Sequence, residues 1–207
     1  MRTRKRFARA VAAISLAIAG IVGSVATTAS PAGAEPILPI DWNVDATVHI
    51  ASLGIDNTVT GGSITGNVDL GTGVITVDLT LPPSEATLEL LGIGVADVGF
   101  AVEPTGPATG TVDLATLTAS VTSTFNIRIP YVRPLGLPFN LVGNRCQTRE
   151  PITLTMSGAI DLVNGSTFAG EFSIPKFRNC GLLTTPILNL LVPGDGNTFS
   201  AVATPRA

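Results

Sequence analysis

From Thr116 to Ile129 the chain alternates strictly between two kinds of residue. Leu117, Ala119, Val121, Ser123, Phe125, Ile127 and Ile129 fall on one side, and Thr116, Thr118, Ser120, Thr122, Thr124, Asn126 and Arg128 on the other. A helix would scatter these two sets around its circumference. An extended chain sends successive side chains to opposite faces, so the pattern specifies a long strand with one buried and one solvated face. The pattern recurs in Ile152, Leu154, Met156, Gly158, Ile160 and Leu162 against Thr153, Thr155, Ser157, Ala159 and Asp161, and in Ile75, Val77, Leu79 and Leu81 against Thr76, Asp78 and Thr80. Further strands are expected over 44–52, 86–91, 95–103, 167–174 and 198–204. An all-β antiparallel sandwich of roughly ten strands is the expected fold class, with a closed β-barrel as the alternative.

Three strands share a weak repeat, G-x-[VI]-D-L. It reads Gly66-Asn67-Val68-Asp69-Leu70, Gly110-Thr111-Val112-Asp113-Leu114 and Gly158-Ala159-Ile160-Asp161-Leu162. Each copy precedes a turn and a second strand that stops at Pro82, Pro130 or Pro175, because proline cannot donate to the ladder. Gly71-Thr72-Gly73 and Asn164-Gly165 supply turn chemistry. The repeat therefore reads as hairpin grammar, with a triplicated binding hairpin as the alternative.

One short helix is expected near 186–192, with Thr185 as its cap, Pro186 at the first helical position and Pro193-Gly194 ending it. Only Asn189 in its body is polar. Such a helix is expected to plug an end of the β core, and the alternative is that it faces a lipid or a partner.

Residues 1–34 read as an export leader cleaved after Ala34. Arg2, Arg4, Lys5, Arg6 and Arg9 precede an apolar run, and Ala32-Gly33-Ala34 follows the small-residue rule for cleavage. Lys5 stands where a twin-arginine signal would have its second Arg, so an ordinary basic leader is expected. No integral membrane anchor is expected. Residues 35–207 then form a single secreted β domain, extracellular or in the cell envelope. Five of the twelve basic residues leave with the leader, so seven basic and fifteen acidic side chains remain, a net charge of −8. Such a chain is a poor candidate for nucleic acid or for general adhesion to anionic membranes. Two cysteines in an exported chain predict one disulfide, Cys146–Cys180.

Motifs for chemistry are scarce. His49 is the single histidine and is placed on the polar side of its strand. No G-x-S-x-G elbow accompanies it, and Gly62-Ser63-Ile64-Thr65-Gly66 has the wrong order. Acidic residues are plentiful without forming a distinctive carboxylate pair. Trp42 is expected to anchor the first strand rather than to offer a sugar platform. Gly194-Asp195-Gly196-Asn197 reads as a turn, since it lacks the ligands of a calcium loop. No catalytic residue, metal or cofactor is expected. Charge placement is more telling: eleven acidic residues and no basic one lie between Glu35 and Ile127, whereas all seven basic residues of the domain follow. The expected disulfide gathers Arg145, Arg149, Lys176 and Arg178 into a candidate anion-binding patch, unless these cations pair with the surplus carboxylates.

From Cys146 onward the chain resembles small secreted β-rich proteins of actinobacteria that lack an assigned activity. The residues that carry the resemblance are Cys146-Gln-Thr, Pro151, Ser157-Gly158, Thr167-Phe168-Ala169-Gly170, Ile174-Pro175, Asn179-Cys180-Gly181 and Pro193-Gly194-Asp195-Gly196-Asn197. It implies an origin in a high-GC Gram-positive envelope and transfers no site residue. The expected function is a non-enzymatic structural or binding role at the cell envelope. The alternatives are a carrier of lipid or another apolar ligand inside a barrel, and an envelope pore. An envelope component or an apolar ligand is the corresponding partner.

Overall fold

A computed structural model of the chain describes residues 36–90, 93–161 and 164–206. The expected leader and its cleavage after Ala34 lie outside the described residues. Thirteen strands and one helix follow in the order β1 (Ile37–Ile50), β2 (Ile55–Asp69), β3 (Val74–Thr80), β4 (Ser84–Leu90), β5 (Ile93–Pro104), β6 (Ala108–Asp113), β7 (Thr118–Arg128), β8 (Val132–Pro134), β9 (Gln147–Thr148), β10 (Ile152–Ala159), β11 (Ser166–Ile174), β12 (Phe177–Arg178), α1 (Thr184–Leu191) and β13 (Gly194–Pro205).

Eight of these strands close into a barrel in the order β1-β2-β3-β6-β7-β10-β11-β13, each antiparallel to its neighbours, with β13 paired back onto β1. This corrects the sandwich in favour of the barrel alternative. Alternating burial is the same in both architectures. What decides is pairing between distant segments: β7 bonds β6 on one edge and β10 on the other, and Val44 of β1 stands opposite Ala203 of β13. Neighbours in space nearly follow the chain, so this is an up-and-down barrel without free edges among those eight strands. The strands beyond the expected ten include β8, β9 and β12, which are too short to carry a periodic signal.

The apolar set of each strand points inward. Val44, Ala46, Val77, Val121, Leu154, Phe168, Phe199 and Ala203 are all buried. The partner set, Thr118, Ser120, Thr122 and Thr124 on β7 for example, points out. Phe125 and Phe172 meet edge to face across the interior, with centroids 6.4 Å apart.

The G-x-[VI]-D-L repeat has a geometric cause. Its three copies end β2, β6 and β10 at the same end of the barrel, where each leads into a hairpin. Asp69 Oδ1 accepts from the N–H of Gly71 and Thr72, at 2.8 and 3.2 Å. Asp113 accepts from Ala115 and Thr116 at the same two distances, and Asp161 accepts from Asn164 at 2.9 Å. These Asx turns fold the chain back. The Ala115 N–H, then that of Thr116, holds the Asp113 carboxyl below its usual pKa. The glycine of each copy lets the adjacent strand approach: a Cβ on Gly158 would lie 1.9 Å from the Thr167 carbonyl oxygen, and one on Gly110 would lie 2.0 Å from that of Ser120. The β6–β7 hairpin also moves Leu117 out of the expected strand. It adopts φ 52° in the turn and is exposed, because the reversal needs a left-handed residue there.

The second strand of each hairpin, β3, β7 and β11, stops before its proline at the opposite end. There the chain leaves the barrel in three excursions: 81–107 with β4 and β5, 129–151 with β8 and β9, and 175–193 with β12 and α1. The excursions are tied together. β5 pairs β8, and β9 pairs β12. Cys146 and Cys180 are bonded, with Cα atoms 4.2 Å apart.

The helix begins two residues earlier than expected. Leu183 is its N-cap, without a side-chain bond, and Pro186 is the third helical residue. Pro186 fits there because its missing N–H is one of the helix's unbonded first donors. Thr185 does not cap; its Oγ1 accepts from the Cys180 N–H at 3.1 Å.

Candidate binding site in the barrel and at its excursion end

Two small voids lie end to end inside the barrel. One, ≈ 40 Å³, is toward the hairpin end and is lined by Ile40, Trp42, Ile75, Val121, Met156 and Phe168 among others. The other, ≈ 70 Å³, is toward the excursions and is lined by Val59, Phe100, Val102, Ile127, Leu154 and Phe172 among others. Leu79 and Phe199 line both, so these two side chains separate them. The first void has no polar side chain in its lining. The second has Ser123, Asn57 and Ser84, and Asn57 Nδ2 donates to Ser84 Oγ at 3.0 Å. Apolar voids of up to about 150 Å³ stay dry and accept benzene or xenon. Drug-sized ligands need about 300–1,000 Å³. The interior as it stands therefore suits a slender or small apolar molecule.

The excursion end of β13 is closed by a satisfied polar plug. Asn197 is 1 % exposed. Its Oδ1 accepts from the Ala51 N–H at 3.1 Å, and its Nδ2 donates to the carbonyls of Gly194 and Phe172 at 2.8 and 3.1 Å. The Asn197 oxygen is thus engaged by the barrel itself. His49 lies on the outer face of β1, as placed from the sequence, with Nδ1 2.8 Å from Asp56 Oδ1 on β2. Trp42 is buried and lines the first void.

The β9–β12 ribbon brings the candidate cations together. Its register sets Arg178 opposite Gln147, and the Arg149 N–H donates to the Lys176 carbonyl at 2.7 Å. Thr148 and Phe177 are fully buried between them. By alternation Arg149, Lys176 and Arg178 share the exposed face, and Arg145 is exposed beside the disulfide. None of these four forms an ion pair with a described residue; the ion pairs among the described residues are His49–Asp56, Arg128–Glu103 and Arg206–Asp41. Arg133 instead stacks on Tyr131, 4.2 Å from the ring centroid. The Tyr131 hydroxyl donates to Glu85, and this bond, more than burial, raises its pKa. Gly99 leaves room for the ring, since a Cβ there would lie 2.6 Å from it.

An apolar surface lies at this end; the sequence offered its helix part as an alternative to the plug and missed the loop beside it. Leu182, Leu183, Ile187 and Leu190 are exposed on and before α1, and Leu135, Leu137, Phe139 and Leu141 are exposed in the loop after β8. A legible signal existed in the second segment, Leu135-Gly-Leu-Pro-Phe-Asn-Leu141. Its apolar residues alternate with Gly, Pro and Asn, which cannot build a polar strand face.

No family model, curated protein or solved structure matches this chain.

Proposed function

We propose that this chain is an exported, non-enzymatic β-barrel that binds an apolar ligand in its interior at the cell envelope. The observation that carries this is the pair of aligned, almost wholly apolar voids separated only by Leu79 and Phe199. Displacement of the Phe199 ring joins them into one slot suited to a small apolar molecule of about benzene's size. The leader-like N-terminus, the disulfide and the resemblance to secreted actinobacterial proteins support the exported setting. The pore reading needs apolar outer faces and Thr/Ser inner faces. The barrel has the reverse arrangement, so that reading is not carried forward.

Trp42 provides the test. It is the single tryptophan and lines the first void. Bromobenzene bound inside quenches it through its heavy atom, so titration of the protein is expected to quench Trp42 to a saturating endpoint. Organic extraction of protein secreted by its own host is expected to release an apolar molecule. Absence of both signals would overturn the proposal.

A further inference from the structure

We infer that the excursion end docks on an anionic lipid surface, inserting its leucines among the acyl chains while the neighbouring cations meet the headgroups. The surface is distinct from the barrel interior, and the inference does not depend on a ligand there.

The helix is unusual for an exposed one. Leu188 is its only buried residue, while Leu182 is 97 %, Leu190 83 % and Leu183 80 % exposed. Its one polar body residue is turned away from solvent. Asn189 accepts from the Phe177 N–H at 2.6 Å and donates to the Phe177 carbonyl at 3.0 Å, so its amide completes the outer edge of β12 as a strand would. The outward side of α1 is left with aliphatic groups alone. Single exposed leucines need no explanation, but a contiguous apolar patch does.

The loop beside it has the same character. Asn140 Oδ1 accepts from the N–H groups of Val132 and Val142, at 3.0 and 3.1 Å, and its Nδ2 donates to the Pro130 carbonyl at 3.0 Å. Leu141 donates its N–H to Val132, and its carbonyl accepts from the Thr184 hydroxyl at 2.7 Å. The last bond fixes the loop to the first residue of α1, and the disulfide fixes their stems. With these backbone groups already bonded within the protein, that part of the loop enters an apolar phase without stranding a donor or acceptor.

Charge selects the occupant. The excursions 129–151 and 175–193 contain Arg133, Arg145, Arg149, Lys176 and Arg178 against the single carboxylate Glu150, in a domain of net charge −8; Arg133 stands opposite Asp97 of β5, so the other four carry the excess. Arg145, Arg149, Lys176 and Arg178 form no ion pair with a described residue. Exposed aliphatic groups flanked by an excess of cations match a surface with an apolar interior and anionic headgroups. A second copy of this chain offers the same cations and would repel at that face.

The experiment is vesicle flotation of the mature chain. Vesicles of phosphatidylcholine containing a minority of phosphatidylglycerol are expected to carry the protein, and pure phosphatidylcholine to carry at least about tenfold less. Added salt is expected to weaken the binding. The L182D/L190D variant alters exposed positions, so its melting temperature is expected to hold while flotation falls about tenfold or more. The R145Q/R178Q variant is expected to lose the preference for anionic vesicles. Failure of the wild type to float on anionic vesicles overturns the inference, as does flotation unchanged in either variant. So does a concentration-dependent dimer, abolished by L182D/L190D, in protein that does not float. Trp42 quenching by bromobenzene reads the interior separately, so either proposal can fail alone.

Discussion

Replacing Phe199 with alanine tests both the packing of the barrel and its capacity for a ligand. The ring is 5 % exposed and stands between the two voids. Burying about 150–200 Å² of aromatic surface at about 25 cal/mol per Å² gives about 4–5 kcal/mol, and Phe→Ala changes in cores cost about 3–5 kcal/mol. Part of the ring already faces empty space and has no dispersion partner there, so the lower end, about 3 kcal/mol, is expected. For a domain of this size that corresponds to a fall of about 6–12 °C in Tm. Urea and thermal unfolding of the mature chain, followed by Trp42 emission, measure both quantities. The truncation also joins the voids. Saturating benzene or xenon is therefore expected to raise the Tm of F199A more than that of the wild type. A loss below about 1 kcal/mol, together with no ligand-dependent rise, would refute the picture of a divided apolar interior.

Removing the disulfide by C146S/C180S frees a sequence separation of 34 residues and is expected to cost about 3–4 kcal/mol in a denaturant titration. Far-ultraviolet circular dichroism is expected to keep its β signature, since no barrel strand contains either cysteine. N197A strips partners from one N–H and two carbonyls at the barrel end and is expected to cost about 3 kcal/mol or more; stability within about 0.5 kcal/mol of wild type would refute the plug. Tyr131 is the single tyrosine, so its ionisation can be followed by ultraviolet absorbance. It is expected to titrate above the usual phenol range and to move back toward it in E85Q. Because the folded pKa is raised, the stabilisation from the Tyr131–Glu85 bond is complete below the ordinary phenol pKa and is lost as pH rises through the folded one. A wild-type titration at the ordinary value would contradict the bond.

The local elements were legible, and each for a local reason. Period-two alternation marked the long strands, Gly71-Thr72-Gly73 and Asn164-Gly165 after copies of the repeat marked hairpin turns, and Pro82, Pro130 and Pro175 marked the strand ends. The helix was found but misplaced at its start, because Thr185 and Pro186 look like a cap and a first residue. In the structure Thr185 is engaged by the Cys180 N–H, a contact set by the bend after the disulfide. Of the candidate site, the cation cluster was legible through the cysteine pair. The pair of apolar voids was not, since the strands that carry Trp42, Leu79 and Phe199 line one interior only once the barrel is closed.

The sequence by itself determined a strand-rich chain, one disulfide and a net charge of −8 over residues 35–207, because composition, periodicity and cysteine count act without knowledge of distant partners. The tertiary structure decided the rest. An alternating strand is equally content in a sandwich or a barrel, and only the pairing of β13 with β1 and of β7 with both β6 and β10 closes the sheet. That closure sends all three excursions to one end. It brings Arg145, Arg149, Lys176 and Arg178 and a leucine surface there, in a protein whose net charge gives no hint of them.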